Sequence, residues 1–287
     1  MKLMICSSLK FQFQSIKNNL AVFFLMVLAT LLVLGFGYSH EHTLQAVTYI
    51  LAMWLCSFFI DIYALWKPTV DTFEVRNPKQ ESFYFILSLS LGLLFLFLRF
   101  SGLVDWQHLK PVFRLLSIPL ILFVFPVGLA IIMLLLKYKP VDLGLRFQGL
   151  LVVIPIVSIS IITMNLLPSN NFTWNKIVEE SGGVLAALFA GFITAGLSEE
   201  FFRIIGQTRL GALFNNKGMG WFVTTLIWAL MHAPKWYSEN NDLSNALLSS
   251  VRIIPLGLMW GYITHRTKSF LPAVIVHGMN VWGLQNF

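Results

Sequence analysis

Ionisable side chains within apolar stretches are the groups of this chain best placed to do chemistry, because a charge in a bilayer core costs at least about 2.5 kcal/mol. Glu199 and Glu200 lie in one such stretch, followed by two phenylalanines and Arg203. Arg203 shares a helix face with either glutamate, at spacings of four and three residues. One ion pair accounts for one glutamate and leaves the second uncompensated. The second carboxylate is a candidate general base, with a structural or transport role as the alternative.

Two histidines and an amide lie in two further apolar stretches. His232 follows Trp228 by one helical turn, so that the indole can pack against the imidazole. His277 and Asn280 share a face of the last stretch, where Asn280 would also serve as an interhelical hydrogen-bonding group. A single histidine in an apolar helix is more often structural. The full set, carried by three separate stretches, predicts convergence on one cavity.

The composition predicts the solvent around these groups. The chain has 287 residues, of which 57% are hydrophobic and 11% charged, whereas soluble domains average about 25% charged. We therefore predict an all-α, polytopic transmembrane helix bundle of about eight to nine spans. Nine stretches have roughly the 20 apolar residues that a spanning helix needs, and they lie at 20–38, 44–66, 82–101, 112–136, 149–168, 183–213, 218–236, 246–264 and 270–286.

The arrangement of these stretches predicts one continuous membrane domain, with amino-terminal helices in residues 1–182 and the catalytic core in residues 183–287. Positive charges favour the cytoplasmic side. With nine spans and an inside amino terminus, fourteen of the 20 Lys and Arg residues fall on or near that side, while Arg99, Lys110, Lys176 and Lys235 fall outside. This pattern fits a bacterial inner membrane and also an endoplasmic reticulum protein. The cations are scattered rather than gathered in one stripe, which argues against a nucleic-acid partner.

The cysteine count limits which metal sites are possible. Cys6 and Cys56 are the only cysteines, so neither a disulfide framework nor a cysteine zinc cluster can form. A metal would need ligands from His232, His277 and either Glu199 or Glu200, and two histidines with a glutamate are a known zinc set. The sequence contains no His-Glu-x-x-His helix. No cofactor is favoured, and zinc remains the alternative.

The order of these motifs resembles the CPBP/Abi family of intramembrane proteases, which includes the CAAX prenyl endopeptidases and the bacteriocin-processing proteins. The family pattern is two glutamates and an arginine, an aromatic residue four positions before a histidine, and a histidine followed by an asparagine. The resemblance covers about residues 183–286, and the segment 141–146 resembles one often found upstream. Trp228 stands where the family usually has phenylalanine, and Asn280 follows His277 by three residues instead of four.

The glutamate motif matches the family pattern in two possible registers. The family has three residues between the second glutamate and the arginine, and this chain has two. If Arg203 is the anchor, Ser198 and Glu199 take the two glutamate positions. If the glutamates are the anchor, Glu199 and Glu200 keep their roles and Arg203 has moved by one position.

The resemblance implies an intramembrane endopeptidase that cleaves a membrane-associated or prenylated peptide. Glu199 or Glu200 would be the general base, His232 would help to hold the water, and His277 with Asn280 would donate hydrogen bonds to the oxyanion. Arg203 would keep one carboxylate ionised and oriented. The implied partners are membrane lipid and a peptide or protein substrate, and the metal-free reaction is favoured over zinc.

Two other classes of function compete with this interpretation. The shifted spacings suit a noncatalytic relative that binds a membrane peptide or serves in bacteriocin immunity. Buried Glu and His also build the proton relays of transporters. A proton-coupled transporter predicts paired halves with broken helices, and the sequence shows no such internal symmetry.

Overall fold

The computed structural model describes residues 19–69, 72–100, 125–166, 178–179 and 182–280, together with Cys6 and Lys10. These residues form helices and connecting turns, and none of them lies in a β-strand. The prediction of an all-α membrane helix bundle is confirmed. The division of the chain at residue 182 and the inside amino terminus stay predictions.

The described helices are numbered here in chain order. They are α1 (Leu20–Ser39), α2 (Thr43–Trp66), α3 (Pro78–Phe100), α4 (Phe125–Leu135), α5 (Val153–Leu166), α6 (Val184–Leu213), α7 (Lys217–Leu230), α8 (Ala233–Asn240), α9 (Leu243–Arg252), α10 (Ile254–Thr267) and α11 (Leu271–Asn280). A 3₁₀ turn, Leu150–Val152, leads into α5, and Phe189–Leu197 within α6 has π-helical hydrogen bonding.

Five helical segments in the described ranges are long and apolar enough to cross a membrane. They are α1, α2, Pro78–Leu98 of α3, α6, and α9 with α10 taken together as Leu243–Thr267. Each coincides with one of the predicted stretches. Shorter apolar helices, Phe125–Leu135 and Leu150–Thr163, lie within two more. Residues 101, 112–124, 167–168 and 281–286 of the predicted stretches lie outside the described ranges.

The predicted stretch 218–236 is not one continuous helix. Helix α7 ends at Leu230, Met231 and His232 form a turn, and α8 begins at Ala233. Pro234 explains the break, because its nitrogen has no hydrogen to donate to the carbonyl of Leu230 and its ring would collide with that carbonyl. The turn places His232 at the end of α7, with its side chain 28% exposed.

Close backbone packing joins the π-helical part of α6 to α11. A Cβ atom at Gly196 would lie 2.6 Å from the carbonyl oxygen of Val274, and one at Gly278 would lie 2.7 Å from the ring of Phe192. Both glycines are therefore needed for the approach of the two helices, and this approach carries His277 of α11 towards the glutamates of α6. Helix α6 also packs against α7 and α3.

Replacing Gly196 with alanine should separate α6 from α11. Overpacking of this kind costs about 1–3 kcal/mol, and we expect a corresponding loss in thermal stability of the purified protein in detergent. Gly35→Ala in α1 is the matched control, since no atom lies within 4 Å of the added methyl group. Equal stability of the two variants would contradict the packing explanation.

Two buried ion pairs lie outside the predicted chemical cluster and tie distant helices together. Asp61 of α2 is fully buried and accepts hydrogen bonds from Tyr262 and from Arg266 Nε, the latter at 3.0 Å. Glu81 of α3 pairs with Arg209 of α6 at 3.1 Å, and both side chains are buried.

Candidate active site

The two adjacent glutamates of α6 have different partners, because successive helix residues point about 100° apart. The Glu200 carboxylate is 1% exposed and accepts hydrogen bonds from Arg203 Nη2 and from His277 Nδ1, the latter at 2.8 Å. Arg203 Nη1 donates to the carbonyl oxygen of Gly257 in α10. Glu200 is thus the compensated glutamate, and its two partners hold it against α10 and α11.

Glu199 faces a different set of groups and is 15% exposed. Its Oε2 accepts a hydrogen bond of 2.6 Å from the indole Nε1 of Trp228. The Nε2 atoms of His232 and His277 lie 3.9 Å and 3.8 Å from the same oxygen. Both separations are too long for direct hydrogen bonds, and they suit a bridging water molecule.

Hydrogen bonds at Nδ1 set the orientation of both imidazoles. His232 Nδ1 lies 2.9 Å from the carbonyl oxygen of Trp228, which can only accept, so Nδ1 carries the proton. His277 Nδ1 likewise donates to the Glu200 carboxylate. In the neutral rings Nε2 is then an acceptor. Both Nε2 atoms are therefore turned towards Glu199.

Indole rings enclose the two histidines. Trp260 of α10 stacks on His277 with a centroid separation of 3.7 Å and an angle of 15°. Trp228 meets both imidazoles edge-on, at 4.9 Å and 5.9 Å, and Trp236 of α8 stacks on His232 at 5.6 Å. These rings fix the imidazole planes and leave the His277 side chain 7% exposed, whereas the His232 side chain remains 28% exposed.

Some of these contacts could be predicted from spacing and others could not. The packing of Trp228 on His232 was predicted from their separation of one helical turn, but the hydrogen bond from its indole to Glu199 was missed. Trp236 follows His232 by four residues, a signal that was available. Trp260 has no such signal, since it reaches His277 from a different helix.

The remaining predicted residues lie close to this cluster along the chain. Asn280 is buried, with 4% exposure, one turn beyond His277 at the end of the described part of α11. Ser198 is also buried, and its hydroxyl donates to the carbonyl oxygen of Ile193 at 3.1 Å within its own helix. Glu199, Glu200, Arg203, His232 and His277 are thus brought together around one point, and the Ser198 hydroxyl bonds to helix backbone.

The donor types of a zinc site are present, but their spacing is wider than zinc requires. In a tetrahedral shell with bonds of about 2.0–2.1 Å, ligand atoms lie roughly 3.3 Å apart, whereas each Nε2 lies 3.8–3.9 Å from Glu199 Oε2. Within the described ranges no group of three or more His, Cys, Asp or Glu side chains has the arrangement of a metal site. The hydrogen bond from Trp228 also occupies the Glu199 oxygen that would bind the metal.

Comparison with known proteins adds an independent finding. Residues 181–283 match a family model described as type II CAAX prenyl endopeptidase Rce1-like. The match spans the stretch that contains all six predicted site residues. No curated protein and no solved structure matched the chain.

Proposed function

We propose that this chain, whose residues 181–283 match the family model of the type II CAAX prenyl endopeptidase Rce1-like proteins, is an intramembrane peptidase of the CPBP/Abi type that hydrolyses peptides with a water molecule activated by Glu199. A single observation carries the proposal. The Glu199 carboxylate faces the Nε2 atoms of two oriented histidines across gaps of 3.8 Å and 3.9 Å. A water molecule bound beside these three atoms would donate a hydrogen bond to the Glu199 carboxylate, which is basic enough to take its proton.

Glu199 is a better candidate for the general base than Glu200. Two partners already engage the Glu200 carboxylate, one of them the Arg203 guanidinium, and only 1% of its surface is exposed. Glu199 has a single neutral donor and is reachable from outside the cluster. A base must lie within reach of the water from which it takes a proton. The register in which Glu199 and Glu200 both act, rather than Ser198 and Glu199, is the one we propose.

In the proposed reaction the water oxygen attacks the peptide carbonyl carbon while Glu199 accepts the water proton. For its role His277 takes up a second proton from solvent before the attack; its Nε2–H then donates to the developing oxyanion, and the Glu200 carboxylate at Nδ1 stabilises the imidazolium. Arg203 keeps Glu200 ionised. The C–N bond then breaks, and the leaving amine takes the proton held by Glu199. His232 helps to hold the water, and we assign Asn280 to support of the oxyanion.

Metal dependence is tested separately from the base. The metal-free reaction predicts that purified protein retains its activity in chelators and that its activity does not follow zinc content. Metal analysis of the same samples provides the second measurement. If activity were lost in chelator and recovered on adding zinc, the metal-free reaction would be excluded and a zinc-bound water would be the nucleophile.

Amino-terminus profiling of membranes tests the function and identifies the substrate class together. Membranes with the wild-type protein should contain new peptide termini that are absent with the Glu199→Gln/Glu200→Gln double variant. Sequences and lipid modification around those termini would distinguish prenylated from unmodified membrane peptides. Crosslinking of one membrane peptide to both proteins, with no new termini in either sample, would instead favour the noncatalytic binding protein that the shifted motif spacings suggest.

Trp228→Phe should lower kcat by about tenfold and leave KM nearly unchanged. Phenylalanine keeps an aromatic ring against both histidines and, besides some ring area, removes the N–H that positions Glu199. A hydrogen bond to a charged group contributes about 1.5–3 kcal/mol. Trp221→Phe is the matched control on the same helix, because it loses the same ring area and the buried Trp221 indole N–H has no hydrogen-bond partner among the described residues. Equal kcat values for the two variants would remove Trp228 as a positioning residue.

A further inference from the structure

A second cavity, separate from the glutamate–histidine cluster, lies where α6 and α10 end. It has a volume of about 320 Å³ and is lined by residues of the 72–75 segment, the last turns of α6, the α6–α7 turn and the end of α10. Small-molecule sites occupy about 300–1,000 Å³. Since α6 and α10 belong to spanning segments, the cavity lies at the edge of the membrane.

The charged residues that line the described part of this cavity are all basic. Lys217 and Lys268 line it together with the half-buried His265, and no carboxylate lines its described part. Neither lysine has an ion-pair partner among the described side chains. Thr208 and Asn215 add hydroxyl and amide groups to the lining. A polar cavity with two unneutralised cations is suited to a multiply hydrogen-bonding anion.

Several cations lie close to Lys268, and a bound anion would offset their repulsion. Burial and three neighbouring cations lower the pKa of Lys268 to about 8. These neighbours are Lys217, Arg266 and Arg146. An anion bound between them would favour the protonated lysine, because opposite charge stabilises the charged form.

We propose that this cavity binds the phosphate of an anionic phospholipid headgroup. Its position at the ends of spanning helices brings it level with lipid headgroups, and basic pockets between transmembrane helices are known to take such groups. Thr208 lies eight residues beyond Glu200, or about 12 Å along the helix axis. The phosphate would thus bind to the same helix as the proposed catalytic glutamates without touching them.

Native mass spectrometry of the purified full-length protein tests this proposal. The protein is released from bilayers of phosphatidylglycerol and phosphatidylcholine, and the retained lipids are identified. We expect about a tenfold or greater preference for phosphatidylglycerol, lost in Lys217→Gln/Lys268→Gln and restored in Lys217→Arg/Lys268→Arg. Lys67→Gln/Lys235→Gln removes the same charge from two exposed positions and should keep the preference.

Two further measurements make the test decisive. Lys217 is exposed at the start of α7, so the single Lys217→Gln variant should remain folded and still bind less phosphatidylglycerol. Retention should be full below pH 8 and fall as the pH rises through 8, because Lys268 then loses its proton. An unchanged lipid preference in the double glutamine variant would overturn the site. Binding of inorganic phosphate without retention of phosphatidylglycerol would overturn the lipid as its source.

Discussion

Glu199→Gln should abolish most peptide cleavage while leaving the protein folded. Removing a general base typically costs about 100- to 10,000-fold in rate, and glutamine preserves the shape of the side chain and can still accept the hydrogen bond from Trp228. The measurement is the initial rate of cleavage of a membrane-tethered peptide by protein reconstituted in liposomes. Thermal unfolding of the same preparation checks the fold.

The matched control for this variant is Glu239→Gln. Glu239 is 51% exposed and forms only a long surface ion pair with Lys235, at 3.9 Å, so its loss should change neither rate nor stability. Wild-type rates in Glu199→Gln would exclude Glu199 as the base. If Glu200→Gln then removed activity without unfolding the protein, the assignment of the two glutamates would be reversed.

The length of the apolar stretches and the residue spacing along single helices predicted much of the architecture. The runs at 20–38, 44–66 and 183–213 predicted spanning helices because about 20 apolar residues are sufficient in themselves. The Glu200–Arg203 pair could also be predicted, since residues three apart share a helix face. The break after Leu230 was missed because the apolar run continues through it, although Pro234 was the available signal.

Contacts between helices could not be obtained from the sequence in this way. Which glutamate pairs with Arg203 depends on the helix that covers each face, and His277 reaches Glu200 from 77 residues away. The stacking of Trp260 on His277 and the pairing of Glu81 with Arg209 are also contacts between different helices. A pattern within one helix predicts a face, whereas the partner of that face is set by the packing of the bundle.

Two buried Glu–Arg pairs, each with its arginine on α6, allow a test that separates support of the fold from support of the reaction. Glu200–Arg203 lies in the cluster, and Glu81–Arg209 lies outside it. Breaking a buried pair by removing one partner costs about 3–5 kcal/mol, because a charge is left uncompensated. Arg203→Met and Arg209→Met should therefore both lower the thermal stability of the protein in detergent.

The two variants should differ in activity per folded molecule. Arg209→Met leaves Glu199, Glu200 and both histidines in place, so its folded fraction should cleave peptide at the wild-type rate. Arg203→Met leaves Glu200 without its guanidinium and the carbonyl of Gly257 without its donor, so the folded fraction should lose most activity.

Replacing both members of the Glu200–Arg203 pair completes the comparison. Glu200→Met/Arg203→Met removes the uncompensated charge and should recover most of the stability lost in Arg203→Met, since apolar replacement of a whole buried pair is often neutral. Activity should stay low, because His277 Nδ1 no longer has the carboxylate that orients it and stabilises its charged form. Recovery of cleavage together with stability would show that Glu200 and Arg203 serve the fold alone, and that His277 works without them.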